Sequence, residues 1–236
     1  MNITIIGLGG IGGNLCRLLN MQSDPGEHHI TGIDGDTVES SNLERQMYFS
    51  EKDIGVPKAT CLRNANVIQR ALVGWFPETI CADVGLSPEE DTPSPDVIFC
   101  CADNLVARRK ALEFSDRAGI PVIITGNETT SAQAYIYLPV WQGTRNDIRN
   151  IFAELQPVVL EVNTAPVVRE SCWDGVNANP QTVMANTLAA TYGFYLFETY
   201  RKIGFDSEKV TRMHPIYHKG DLGGMTSWYY KEKKKK

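Results

Sequence analysis

The short run Ile3 to Ile6, rich in β-branched residues, passes straight into GLGGIG at Gly7 to Gly12 and then into a segment of helical composition, Ile11 to Met21. A strand that opens a helix through a glycine turn leaves backbone N–H groups uncovered by side chains at the positive end of that helix, where phosphate can approach them. Gly7, Gly9, Gly10 and Gly12 are therefore candidate nucleotide contacts. The motif alone is shared by dehydrogenases, methyltransferases and many other α/β proteins. Asp34 narrows it, because it ends the second predicted strand, Ile30 to Ile33, about twenty residues beyond the glycines, where a carboxylate can accept hydrogen bonds from ribose hydroxyls. Together these residues favour a nucleotide site over a structural glycine turn without choosing the nucleotide.

Further β-branched runs occur at Val97 to Cys101 and Val122 to Thr125, and helical compositions at Lys58 to Ala71 and Leu105 to Ala118. This alternation predicts βαβ units. The expected fold class is α/β, Rossmann-like, with a mostly parallel central sheet flanked by helices. Beyond Ser131 the pattern changes. Ala132 to Leu138 alternates like a strand, and Val140 to Asn179 reads as a mobile or irregular lobe. Pro180 to Arg201 reads as a long C-terminal helix, with Pro180 suited to its first turn and Gly204 to its stop. Val210 to Lys231 suggests one or two additional edge strands about the turn Gly220 to Gly224. The expectation is one domain over residues 1–236, with 1–130 as the nucleotide-binding half.

Apolar residues make up 42% and charged residues 22%, as in ordinary globular proteins, so neither disorder nor a fibre is indicated. No apolar run reaches membrane-spanning length and no leader pattern opens the chain, so the expected location is cytoplasmic, with no membrane partner. The net charge of −5 argues against nucleic acid as a partner, and the run Lys231 to Lys236 reads as a solvated tail. None of the six cysteines, Cys16, Cys61, Cys81, Cys100, Cys101 and Cys172, belongs to a C-x-x-C pair, so no zinc is expected. Most suit the role of small buried apolar groups, Cys172 being the exception.

ATP and NAD are separated by DGDTVESSNLERQ, which places Asp34, Asp36, Asn42, Arg45 and Gln46 within 13 residues directly after the ribose position. A dehydrogenase needs nothing like it. Arg45 can stabilise charge developing on a phosphate, and Asn42 and Gln46 can hold the nucleotide or nearby backbone. Lys58 opens the next helix in GVPKA, where its point charge can meet phosphate oxygens. Asp103 and Asn104 follow VIFCC in CADN, at the carboxyl edge of the sheet, the usual ligand crevice of such folds. A carboxylate beside a triphosphate is a natural Mg²⁺ ligand, which makes Asp103 the candidate. A solvated lysine and an N-cap aspartate are the plainer readings of Lys58 and Asp103.

With these motifs in this order and spacing, the chain resembles the ThiF/MoeB/HesA superfamily, which includes the ubiquitin-activating enzymes. The resemblance is close from Ile3 to Thr125 and resumes more loosely from Ser171 to Arg201. It implies that Arg45, Lys58 and Asp103 contact the triphosphate and Mg²⁺, while Asp34, Asn42 and Gln46 surround the nucleotide, with the glycines, Asp36 and Asn104 completing the site. It implies attack by the C-terminal carboxylate of a ubiquitin-like or sulfur-carrier β-grasp protein on the ATP α-phosphate, and a homodimer. Arg108 matches a position of structural rather than catalytic role. Cys172, in SCWDGVNANP, matches a crossover loop where many members carry a cysteine that accepts the activated carboxylate. Such a role needs thiolate, and a buried structural role stays open beside it.

Three departures accompany the resemblance. The paired zinc-binding cysteines of MoeB-like members are missing. The sequence opens directly at the first strand, whereas many members have a preceding segment whose arginine reaches the neighbouring subunit's ATP, so the expectation is that a different arginine or a different protein supplies that charge, or that adenylylation is slow or absent. No appended rhodanese, ubiquitin-fold or conjugating-enzyme domain is expected, so any downstream carrier is expected to be a separate protein. In form the chain is most similar to short ThiF-type proteins of plasmids, phages and mobile elements. A non-catalytic scaffold subunit is the alternative function. An NAD(P)-dependent oxidoreductase leaves SNLERQ and CADN unexplained, and the acidic charge disfavours a branch acting on tRNA.

Overall fold

The computed structural model describes residues 1–22, 24, 26–74, 94–156, 182–205, 217–221 and 226–230. In chain order these form β1 (Asn2–Ile6), α1 (Gly10–Gln22), β2 (His29–Asp34), α2 (Lys58–Asn64), β3 (Arg70–Val73), β4 (Val97–Cys100) and α3 (Leu105–Ala118). They continue with β5 (Val122–Asn127), β6 (Ser131–Tyr137), α4 (Ile148–Ile151), α5 (Val183–Arg201), β7 (Tyr217–Asp221) and β8 (Thr226–Tyr230). One eight-stranded sheet runs in the order β3-β2-β1-β4-β5-β6-β7-β8. The first five strands are parallel and the last three antiparallel. The expected α/β, Rossmann-like architecture is what is found, including the long helix and the C-terminal strands.

The strands read as continuous apolar runs because helices cover both faces of a parallel sheet. Every residue of β4 is buried. Ile123, Thr125 and Phe99 face Gly193 of α5, whose missing side chain lets that helix close on the sheet. Alternation then turns Val122, Ile124 and Ile98 to the opposite face, where right-handed crossover places α3. All five of those apolar side chains are fully buried. Helices α1 and α5 pack against each other on the first face.

Two expectations need correction. The predicted helix Lys58 to Ala71 ends at Asn64, and Asn66 turns the chain through the left-handed region at φ 56°, which asparagine tolerates better than most residues. Arg70–Val73 then pairs in parallel with β2 as a further strand. The long helix is opened by Thr182, whose hydroxyl accepts from the Ala185 N–H at 3.1 Å, while Pro180 lies outside the described residues. Its stop is as expected: the helix ends at Arg201 and Gly204 follows at φ 68°. The described part of the irregular lobe, 140–156, consists of α4 and tight turns, and the rest of it, with Cys172 and the tail Lys231 to Lys236, lies outside the described residues.

His28 is buried with its ring edge-on to Phe197 at 5.6 Å between centroids. Burial lowers its pKa, opposed by Glu27 and aided by the Met1 ammonium and Arg201; burial lowers that of His218 too. Both hold a proton less readily in the fold than in the unfolded chain, which takes up protons below about pH 6.5. Stability from these residues is complete above that pH and is lost as pH falls. Thermal unfolding is therefore expected to be level near neutrality and to fall below it, with a shallower fall in His28→Phe. An unchanged slope in that variant contradicts the assignment.

Candidate functional site

The glycine turn is held by contacts that admit no side chain. Gly7 has φ 85°, its N–H donates to the Ile33 carbonyl at 2.9 Å, and a Cβ there would sit 2.9 Å from the Ala102 backbone N. A Cβ on Gly12 would lie 2.0 Å from the Gly7 carbonyl oxygen, so α1 can fold back on β1 only as glycine. The first N–H groups of α1 have no partner within the helix and face the carboxyl edge of the sheet.

Asp34, at the end of β2, locks this turn. Its Oδ2 accepts from the Leu8 N–H at 2.6 Å and its Oδ1 from the Asp36 N–H at 2.8 Å. Burial raises its pKa, opposed by the Lys58 charge and by those two N–H donors. Each oxygen retains a lone pair for a ribose hydroxyl.

The segment from Asp36 to Lys58 closes on itself. The Gly55 N–H donates to the Val38 carbonyl at 2.8 Å, the Val38 N–H to the Val56 carbonyl at 2.9 Å, and the Lys58 N–H to the Asp36 carbonyl at 3.0 Å. Val38 and Phe49 anchor it in the core. This neck brings residues 22 apart together, and Lys58 Nζ meets Asp36 Oδ2 at 2.8 Å. The Lys58 side chain is 7% exposed and that of Asp36 50%, so a buried ammonium is presented through a carboxylate that reaches solvent.

Asn42 braces this loop: its Oδ1 accepts from the Glu39 N–H at 3.2 Å, and its carbonyl accepts from the Arg45 and Gln46 N–H groups. It therefore shapes the segment that carries Arg45 and Gln46. Gln46 is buried beside Gly9, and its Oε1 has no hydrogen-bond partner among the described residues. A buried acceptor without a partner in protein marks a place where a ligand donor or water belongs. Arg45 is half-buried, and its side chain makes no ion pair with a described residue.

Across the crevice, Asp103 is exposed at the end of β4. Asn104, not Asp103, is the N-cap of α3, its Oδ1 accepting from the Ala107 N–H at 2.7 Å. Arg108 donates to the Ala102 and Thr125 carbonyls at 3.0 and 3.3 Å, tying the ends of β4 and β5 together as a structural residue would. Among the described residues no three His, Cys, Asp or Glu side chains form a metal cage. A single exposed carboxylate instead suits an ion shared with phosphates. The neighbouring thiols offer no nucleophile at neutral pH: burial pushes Cys100 up to about 11 and Cys101 up to about 12.

One residue of the site escaped sequence reasoning. Asn186 of α5 is buried, its Nδ2 donates to the Arg45 carbonyl at 3.2 Å, and its Oδ1 accepts from Asn127 Nδ2 at 3.0 Å. Its only signal in sequence is a polar side chain within the largely apolar stretch VMANTLAA.

Residues 1–191 match the ThiF family. The chain belongs to the ThiF family. Its ThiF-family relatives include the ubiquitin-activating enzyme E1-like protein of Saccharomyces cerevisiae, 35% identical over 124 residues, which are 52% of this chain and 19% of that protein. The NEDD8-activating enzyme E1 catalytic subunit of Caenorhabditis elegans is 31% identical over 58% of this chain and 34% of its own length. The molybdopterin-synthase adenylyltransferase of Escherichia coli is 28% identical over 51% and 47%. This chain thus spans less than half of each of these relatives. A crystal structure of E. coli MccB with ATP shares the fold, with a TM-score of 0.61 at 19% identity over 97% of this chain and 63% of that one.

Among the described residues, no helix is long and apolar enough to cross a membrane.

Proposed function

We propose that this ThiF-family chain uses ATP and Mg²⁺ to adenylylate the C-terminal carboxylate of a ubiquitin-like or sulfur-carrier β-grasp protein, as a cytoplasmic homodimer. The observation that carries this reading is the buried Lys58 ammonium, held by Asp36 beside the glycine turn that Asp34 locks. An adenylyltransferase and two activating enzymes among the relatives support it.

In this reaction a carboxylate oxygen attacks the α-phosphorus as the bond to the oxygen bridging to the β-phosphate breaks, and pyrophosphate departs with the charge. Lys58, with two ammonium protons not used by Asp36, and Arg45 are the cations that stabilise that charge without reorganising. The N–H groups opening α1 add fixed partial positive charge. Gln46 Oε1 accepts from a hydroxyl or amine of the nucleotide, and Asp34 from the ribose. Mg²⁺, when bound, neutralises phosphate charge, and Asp103 is the residue that would hold it. Thioester formation at Cys172 is a further step of the same proposal, by thiolate attack on the acyl-adenylate carbonyl with release of AMP.

Mg-ATP at about a hundred times its Kd is expected to raise the unfolding midpoint by roughly 5–10 °C. Asp103→Ala should lose the Mg²⁺-dependent part of that rise. Stronger stabilisation by NADH than by ATP points instead to the oxidoreductase.

A further inference from the structure

We infer that Asn186 is a positioning residue for the nucleotide, one buried amide that sets Arg45 and the first residue of α1 against the end of β5. The inference rests on the nucleotide-binding part of the proposed function. Three segments far apart in sequence meet at this side chain: Asn127 ends β5, Arg45 lies in the loop between β2 and α2, and Gly10 opens α1. A Cβ on Gly10 would lie 2.2 Å from Asn186 Nδ2 and 2.9 Å from its Oδ1, so the amide occupies the space that the glycine leaves vacant. Asn186 itself is 1% exposed, and its backbone N–H is fixed on Thr182 in the first turn of α5.

The chemistry uses both ends of the amide. Oδ1 accepts from Asn127, which fixes which way round the group lies and turns Nδ2 toward the Arg45 carbonyl. That donation holds the backbone of the residue proposed to meet phosphate, and the neighbouring Gln46 shares the same segment. Asparagine suits the position because it is short enough to fit against Gly10 and carries a donor and an acceptor on one rigid plane. Aspartate keeps the shape and loses the donor. Asn186 is buried and acts through Arg45 and Gly10, which makes it a positioning rather than a catalytic residue.

The test measures the Kd of Mg-ATP, together with the unfolding midpoint without nucleotide, for wild type, Asn186→Asp, Asn186→Ala, Gly10→Ala and the Gly10→Ala/Asn186→Ala pair. Asn186→Asp and Asn186→Ala are expected to weaken Mg-ATP roughly ten- to a hundredfold while remaining folded, as loss of one or two buried hydrogen bonds in the support predicts. Gly10→Ala should copy the defect by displacing the amide, and the pair should be no worse than the worse single change, because both act through one contact. A lowered midpoint with unaltered Kd in the Asn186 variants, or additive losses in the pair, overturns the inference. Should the Asn186 variants fail to fold, Asn127→Ala removes only the hydrogen bond that orients the amide. A smaller loss of affinity is then expected, and wild-type affinity overturns the inference. If wild type itself shows no Mg-ATP binding, the functional reading fails first, and the positioning role with it.

Discussion

Lys58→Met is expected to slow exchange of pyrophosphate into ATP about 10²- to 10³-fold, the usual cost of removing one preorganised charge from a water-poor site. The fold should survive, since Asp36 is half-exposed and its carboxylate stays hydrated when the ammonium is gone. The effect on Asp34 is indirect and has a definite sign. The Lys58 charge favours the ionised form of that buried carboxylate, so its removal moves the Asp34 pKa further up. Residual activity in Lys58→Met should therefore require a higher pH than wild type if ionised Asp34 accepts from ribose. Lys58→Arg should not restore the rate, because a planar guanidinium does not replace a compact ammonium in a buried slot. Wild-type exchange in Lys58→Met, measured at saturating ATP, contradicts the role given to this residue.

Arg149→Met is expected to cost about 3–5 kcal/mol of stability, the range for stripping a buried charge of its partner. Arg149 reaches Asp116 through Nη1 at 2.8 Å, Asp147 through Nε at 2.8 Å and the Tyr137 hydroxyl through Nη2 at 2.5 Å, and Tyr137 also bonds Asp116. The side chains of Arg149, Asp116 and Asp147 are 10%, 12% and 6% exposed. Burial on its own would raise the Asp147 pKa, but the Arg149 guanidinium and the Gly143 and Arg149 N–H groups outweigh it and hold it below the usual carboxylate range. Without the guanidinium, two buried carboxylates lose their cation. Asp116 lies in the last turn of α3 and Tyr137 at the end of β6, at the amino edge of the sheet and away from the glycine turn. Urea unfolding should thus show a much lower midpoint, while Mg-ATP still stabilises the folded variant. A stability change under about 1 kcal/mol, the range of exposed pairs, contradicts the burial argument.

The parts of the fold that were legible in sequence are those set by local chemistry. The strands β1, β2, β4 and β5 announce themselves as β-branched runs because both of their faces are buried, and Leu105–Ala118 as a helix because its turns are regular. β3 was hidden: Lys58 to Ala71 carries helical composition, and the break depends on Asn66 adopting a left-handed turn that lets Arg70–Val73 join β2. Only sheet pairing distinguishes those alternatives. The glycines, Asp34, Arg45, Gln46, Lys58 and Asp103 could be nominated because they cluster in short motifs at strand ends. The 2.8 Å pairing of Lys58 with Asp36 could not, since it follows from the closing of a loop. Asn186 is the extreme case, a residue 141 positions from Arg45 whose role exists only after α5 has packed on α1. The position matching a cysteine-bearing loop, Cys172, lies outside the described residues.

Adenylylation is tested most directly by exchange of labelled pyrophosphate into ATP, using this chain, Mg²⁺ and a panel of ubiquitin-like and sulfur-carrier β-grasp proteins with free C-termini. Exchange is predicted with at least one of them, dependent on Mg²⁺ and on a free C-terminal carboxylate, and abolished when that carboxylate is amidated. No exchange with any of them, from protein that Mg-ATP demonstrably stabilises, contradicts an adenylyltransferase and leaves a nucleotide-binding scaffold.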